Sequence, residues 1–140
     1  MRAVLVDTGA WIGLLSKNDQ YAAQAAAHYS ELTSAGARLV TTNYVVDETA
    51  TRLRYGAGLR AALGFRAMLD EAIASRRVTV AWVDESLERE GWKLLGQYAD
   101  VKLSLTDATS AAVARKRKIS EVFGFDSDFE ALGFLVLPLR

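Results

Sequence analysis

Five carboxylates fall where short apolar runs end or where helices begin: Asp7, Glu48, Asp107, Asp126 and Asp128. Asp7 closes the run Ala3 to Val6. Glu48 stands just over one helical turn past Arg38 to Thr41, and Asp107 opens a helix running to Lys116. Asp126 ends the run Ile119 to Phe125, with Asp128 close behind. In a parallel α/β sheet the carboxyl ends of the strands share one edge, so acids distant in sequence converge there. Carboxylates crowded in this way repel one another and raise each other's pKa unless a cation neutralises them. No obvious lysine or arginine sits beside the four at Asp7, Glu48, Asp107 and Asp126. An oxygen-only donor set selects Mg²⁺ or Mn²⁺, and Mg²⁺ commonly bridges to a phosphate. Metal-assisted phosphodiester hydrolysis is the reaction such a set favours. The competing explanation for any one acid alone is a helix terminus, worth about 0.3 to 1 kcal/mol. Ser127 and Glu130 have capping-box spacing, and the first helical turn favours Asp128, so that pair has a local explanation.

These acids need elements to hold them. Ala3 to Val6 is a short apolar run without helical period, as expected of a strand buried on both faces. Trp11, Ile12, Leu14 and Leu15 begin a helical pattern, and Tyr21 to Leu32 continues it in a second helix that Gly36 can end. Arg38 to Thr41 reads as a second strand. Asn43 is the expected N-cap of a helix through Val45, Val46, Thr49 and Leu53, and Gly56 and Gly58 separate it from a helix over Leu59 to Ala74. Val78 to Val83 is β-rich, Asp84 caps the next helix towards Tyr98, and Ser104 or Thr106 begins the helix carrying Asp107. A last strand, Phe134 to Leu137, precedes Pro138. Strands alternating with helices, without repeats or linkers, predict a single α/β domain over residues 1–140 with a largely parallel sheet.

Composition narrows the chemistry. The 140 residues are 51% hydrophobic and 24% charged, enough for one domain with a substantial core. Zero cysteines exclude disulfides and thiolate chemistry, and one histidine excludes a multi-histidine metal cage. Lys+Arg and Asp+Glu both total 17, so the chain lacks the overall basic excess of many nucleic-acid binders. Setting aside the five acids leaves 12 acidic against 17 basic residues, a mildly basic remainder. The apolar start is too short for a signal peptide, and no apolar run approaches the roughly 18 to 20 residues of a membrane span. A cytoplasmic protein without a membrane partner is expected.

Four segments then carry a resemblance. Val4-Leu5-Val6-Asp7-Thr8, Thr41 through Glu48, Ser104-Leu105-Thr106-Asp107-Ala108 and Phe125-Asp126-Ser127-Asp128-Phe129 resemble, in order and spacing, the acidic blocks of PIN-domain nucleases. Each block is weak alone; four in order across the chain are specific. Small stand-alone members of that family are mostly VapC-type toxins, the ribonuclease half of type II toxin–antitoxin pairs. The resemblance implies a three-layer α/β/α sandwich with a central, mostly parallel sheet of four or five strands. It assigns catalysis and Mg²⁺ or Mn²⁺ binding to Asp7, Glu48, Asp107 and Asp126, with Asp128 as an auxiliary metal ligand. Thr8, Asn43 and Thr106 fall at supporting polar positions, and Gly9 departs from the serine or asparagine common there. RNA as substrate, a cognate antitoxin as partner and a homodimer are implied too.

Arg52 and Arg54 on the helix after Glu48, with Arg60 beyond, are candidates for phosphate contacts, as are Arg115 and Lys116 in the run Arg115 to Lys118. Cations in a last helical turn also serve the helix dipole. Trp11, Tyr44 and Tyr55 either stack bases or pack in the core, with packing favoured. His28, on an alanine-rich helix, reads as a surface or packing residue. Two rival functions use the same fold class. One is a non-catalytic PIN-like RNA-binding or assembly module, which metal titration separates. The other is a phosphoryl-transfer or receiver domain, against which stands Thr8-Gly9 where a second nucleophilic aspartate is needed.

Overall fold

The computed structural model describes residues 2–139; Met1 and Arg140, the ends of the expected domain, lie outside the described residues. Five strands form one sheet in the order β3-β2-β1-β4-β5. They are β1 (Ala3–Val6), β2 (Arg38–Thr42), β3 (Val78–Ala81), β4 (Glu121–Phe123) and β5 (Leu135–Leu137), and every pairing is parallel. β1 is central, with Leu5 opposite Val40 on one side and Val122 on the other. That explains its unbroken apolar run: Val4, Leu5 and Val6 are all fully buried.

Alternate strand residues feed two cores. Val4, Val6, Leu39, Val78 and Phe123 pack on one face with α1 (Thr8–Leu15), α2 (Ala22–Ser34), α3 (Asn43–Gly56) and α4 (Leu59–Ala74). Leu5, Val40, Ala81, Val122 and Val136 pack on the other with α5 (Glu85–Gln97), α6 (Leu105–Lys116) and α7 (Asp128–Ala131). The result is a three-layer α/β/α sandwich. Gly58, at φ 104°, holds the left-handed backbone between α3 and α4 that favours glycine.

Three local expectations change. Asn43 is not the cap of α3: Thr42 is, its side chain accepting the Val45 N–H at 3.0 Å. The Asn43 side chain instead accepts the Val83 N–H at 2.6 Å, tying the start of α3 to the segment after β3. Ser127 makes no side-chain cap on α7; Asp126 Oδ1 accepts the Asp128 N–H at 2.9 Å and turns the chain there. The strands ending the chain are shorter than their apolar runs, because Ile119, Phe125 and Phe134 are buried from the flanking loops rather than from the ladders.

α5 and α6 pack closely on one another. Gly91 lies so close to α6 that a Cβ there would stand 2.6 Å from Thr109 Cγ2 and 3.3 Å from the Thr109 backbone nitrogen. Thr109 has little freedom to yield, since its hydroxyl donates to the carbonyls of Leu105 at 2.8 Å and Thr106 at 3.1 Å. Gly91→Ala is therefore expected to destabilise the protein by about 1 to 3 kcal/mol, as overpacking does. Urea unfolding, with a lowered midpoint at unchanged slope, is the measurement.

Candidate functional site

Asp7 follows the last residue of β1 and occupies the N-cap position of α1, yet its carboxylate makes no cap hydrogen bond. The backbone holds it instead: the Asp7 N–H donates to the Phe123 carbonyl at 2.9 Å, and the Asp7 carbonyl accepts the Ala10 N–H at 3.1 Å. The side chain is left buried, with Oδ1 lacking any hydrogen-bond partner, and the neighbouring Thr8 hydroxyl is likewise buried and unpartnered. Gly124 presses close from β4's end, where a Cβ would stand 3.1 Å from the Asp7 Cβ. A larger residue there crowds the carboxylate.

Asp7 and Thr8 floor a cavity of about 510 Å³ at the carboxyl edge of the sheet. Glu48 reaches it from the second turn of α3, Asp107 from the first turn of α6, and Asp126 from the loop after β4. The four acids from four segments thus border one space. None of them forms an ion pair among the described residues. Burial raises the Asp7 carboxyl to a pKa of about 7, aided by the charges of Asp107, Glu48 and Asp126 and opposed by the nearby backbone N–H of Thr8. Asp107 is also pushed up, first by burial and then by Asp126 and Glu48, against hydrogen bonds from Ser104 that pull it down.

Asp107 has two attachments. With Ser104 it forms a complete capping box on α6: the Ser104 N–H donates to Asp107 Oδ2, and the Asp107 N–H to Ser104 Oγ, both at 3.0 Å. The helix-terminus explanation and the shared-cavity explanation hold for this residue together. For Asp7 the capping explanation fails.

Other expected residues are less central. Asp128 is not among the cavity walls; burial and then Asp126 raise its carboxyl. Asn43 is engaged with Val83, and Thr106 lies off the cavity. Arg52 is an exposed cation on the wall, whereas Arg54 is exposed elsewhere. Arg115 and Lys116 border a different cleft, beside Leu87 and Glu90 of α5. Arg115 donates to the Tyr98 hydroxyl at 3.2 Å and the Leu132 carbonyl at 3.1 Å, a structural attachment. Trp11 is fully buried, its indole N–H donating to Thr41 Oγ1 at 3.2 Å, so it packs in the core. Tyr55 is 85% exposed, contrary to the packing expected of it. His28 is buried edge-on against Phe123.

A second wall escaped the sequence reading. Asp19, Gln20 and Tyr21, from the turn joining α1 to α2, line the same cavity together with Ser104 and Phe125. The Tyr21 ring lies parallel on Phe125, centroids 4.2 Å apart and planes within 4°. Tyr21 occupies the N-cap position of α2 and not its first turn, and no local sequence pattern links it to Phe125.

Among the described residues, no three acidic or histidine side chains stand close enough to make a ready-formed metal cluster. The donor set nevertheless fits a hard divalent cation: it is all oxygen, it lacks a neutralising ion pair, and it includes the unpartnered buried Asp7 Oδ1.

Comparison with known proteins agrees with this geometry. Residues 4–135 match the family model of the PIN domain, and the chain belongs to that family. It is 33% identical over 132 residues to the 23S rRNA-specific endonuclease VapC20 of Mycobacterium tuberculosis, covering 94% of this chain and 95% of that one. A VapC ribonuclease of Archaeoglobus fulgidus is 29% identical over 131 residues, covering 91% and 79%. The crystal structure of M. tuberculosis VapC20, a sarcin-ricin loop cleaving toxin, superposes with a TM-score of 0.80 at 34% identity over 94% of this chain and 96% of that one. VapBC2 of Rickettsia felis, solved on a promoter DNA fragment, shares the fold at TM-score 0.67 and 12% identity, over 96% and 97%. No helix among the described residues is long and apolar enough to cross a membrane.

Proposed function

We propose that this chain is a Mg²⁺- or Mn²⁺-dependent endoribonuclease, the toxin of a toxin–antitoxin pair. The observation that carries the reading is the meeting of Asp7, Glu48, Asp107 and Asp126 around one cavity with none of the four held in an ion pair among the described residues. Family membership and the VapC20 likeness supply the reaction class, and 23S rRNA, the substrate named for VapC20, is the first RNA to test. A cognate antitoxin and a homodimer belong to the same reading.

Asp7, Glu48, Asp107 and Asp126 would hold the ion. When bound, it supplies the means to activate water and to neutralise charge on the phosphate. The protein contributes the rest. Burial of Asp7 at the end of β1 fixes the floor of the site, and the capping box fixes Asp107 on α6. The Thr8 hydroxyl is buried beside Asp7 without a protein partner. Arg52, on the cavity wall, would meet the negative backbone of a bound RNA strand. No side chain of the cavity serves as a covalent nucleophile in this scheme, and the expected products are 5′-phosphate and 3′-hydroxyl ends.

The test is cleavage of RNA by the purified protein with chelator, and then with Mg²⁺ or Mn²⁺ restored. Undiminished cutting in chelator removes the mechanism. Arg52→Ala is expected to weaken RNA binding uniformly across sequences and to lower the salt slope of log K by about 1, the signature of one lost phosphate contact. Fluorescence anisotropy over a salt series measures it. Arg54→Ala, off the cavity wall, is the matched control.

A further inference from the structure

We infer that the turn Asp19-Gln20-Tyr21 is the base-recognition wall of the site: Tyr21 stacks an unpaired nucleobase next to the scissile phosphate, and Gln20 reads that base's edge. This rests on the ribonuclease reading and concerns which RNA the same cavity accepts.

The turn borders the same cavity as the acids, and Tyr21 stacks on the neighbour of Asp126, so a nucleotide whose phosphate lies against Asp7 and Asp126 has its base within reach of this wall. The turn is also held firmly. Asp19 Oδ2 accepts the Tyr21 N–H at 2.9 Å, the Asp19 N–H donates to the Ser16 carbonyl at 3.1 Å, and the Asp19 carbonyl accepts the Ala22 N–H at 3.1 Å. Gly13 lets α2 close onto α1 behind it: a Cβ there would stand 2.8 Å from the Ala25 Cβ and 3.6 Å from Asp19 Oδ2.

Tyr21 is half-buried, with Phe125 parallel beneath it and Asp126 the next residue along the chain. A stacked pair of rings in the cavity wall is a ready platform for a base, since unstacked RNA bases bind by stacking on aromatic side chains. Gln20 is exposed, and its amide both donates and accepts, as reading a base edge requires. Asp19 is committed to the Tyr21 backbone, which leaves Gln20 as the adaptable polar group of the turn. The base held at this wall is an unpaired one, because a paired base is not free to stack here.

The experiment uses hairpin RNA oligonucleotides with randomised loops, cut in Mg²⁺ or Mn²⁺ and sequenced at the new ends. A fluorescein-labelled member of the pool is titrated in chelator as well, where no cutting intervenes. Tyr21→Ala is expected to raise KM and weaken binding by about 5- to 150-fold, the loss typical of one stacked base, with Tyr21→Phe and Tyr21→Trp restoring both. Gln20→Ala is expected to keep the wild-type melting temperature while flattening the base preference at one position beside the cut. Tyr21→Ala that lowers only kcat or melting temperature, with KM, binding and cut sites unchanged, makes the Tyr21–Phe125 pair a strut for Asp126 and overturns the inference. An unchanged cut-site pattern in Gln20→Ala overturns the role of Gln20. Wild-type protein that cuts no RNA in either metal overturns the ribonuclease reading itself, and this inference with it.

Discussion

Asp7→Asn is expected to give a protein that no longer cuts RNA and is more stable than wild type when metal-free. The loss of activity follows from removing a charged donor at the floor of the cavity, and by analogy with other deletions of single electrostatic groups it should reach at least about 100- to 1000-fold in kcat. The gain in stability follows from the same carboxyl. Folding raises its pKa from 3.8 to about 7, chiefly by burial and then by the charge of Asp107. Between those values the folded protein binds a proton that the unfolded chain has released, so stability falls as pH rises through this window. The contribution is fully present below about pH 4 and is lost above about pH 7, where the buried charge costs on the order of 4 kcal/mol. Asparagine carries no charge at any pH. Urea unfolding of the metal-free proteins from pH 4 to pH 8 should therefore show a downward slope in wild type that Asp7→Asn lacks. Parallel profiles for the two proteins would place the origin of the slope elsewhere.

Asp7 was legible in the sequence because its strand is central and apolar throughout, which puts the first polar residue after it at the sheet edge. Glu48, Asp107 and Asp126 were legible for the same reason, each standing where an apolar run or a helix meets that edge. The finer attachments were not. Thr41, Thr42 and Asn43 are three consecutive polar residues, any of which suits a cap. In the fold they divide the work: Thr41 donates to the Val6 carbonyl and accepts from Trp11, Thr42 caps α3, and Asn43 holds Val83. Only the position of the neighbouring strands decides among them. The wall at Asp19 to Tyr21 was illegible for another reason. The alanine-rich pattern of α2 runs back into it, and its partner Phe125 arrives through the sheet order, with β4 beside β1, a fact of topology rather than of local sequence. Arg115 and Lys116 show the converse ambiguity: a basic run that suits either a phosphate or a helix terminus borders a different cleft from the acids.

The double attachment of Asp107 gives the last prediction, because its two partners can be removed separately. Ser104→Ala deletes the capping hydroxyl and leaves the carboxylate in the cavity. It is expected to cost the metal-free protein about 0.5 to 2 kcal/mol, the usual loss of a helix cap. Its response to Mg²⁺ or Mn²⁺ should survive. Asp107→Asn retains an oxygen able to accept the Ser104 N–H, so the cap is largely kept, while the charge that adds to the burden on Asp7 is gone. Its metal-free stability should match wild type or exceed it. The two variants then separate on adding metal. An ion bound only by the native state stabilises by RT ln(1 + [L]/Kd), about 2.7 kcal/mol at a hundredfold excess over Kd. Wild type and Ser104→Ala should both show that rise in melting temperature, and Asp107→Asn should lose most of it. Calorimetry with and without Mn²⁺ reads all six states. If Asp107→Asn gained as much from metal as wild type, Asp107 would be a helix cap alone, and the cavity would have to hold its ion through Asp7, Glu48 and Asp126.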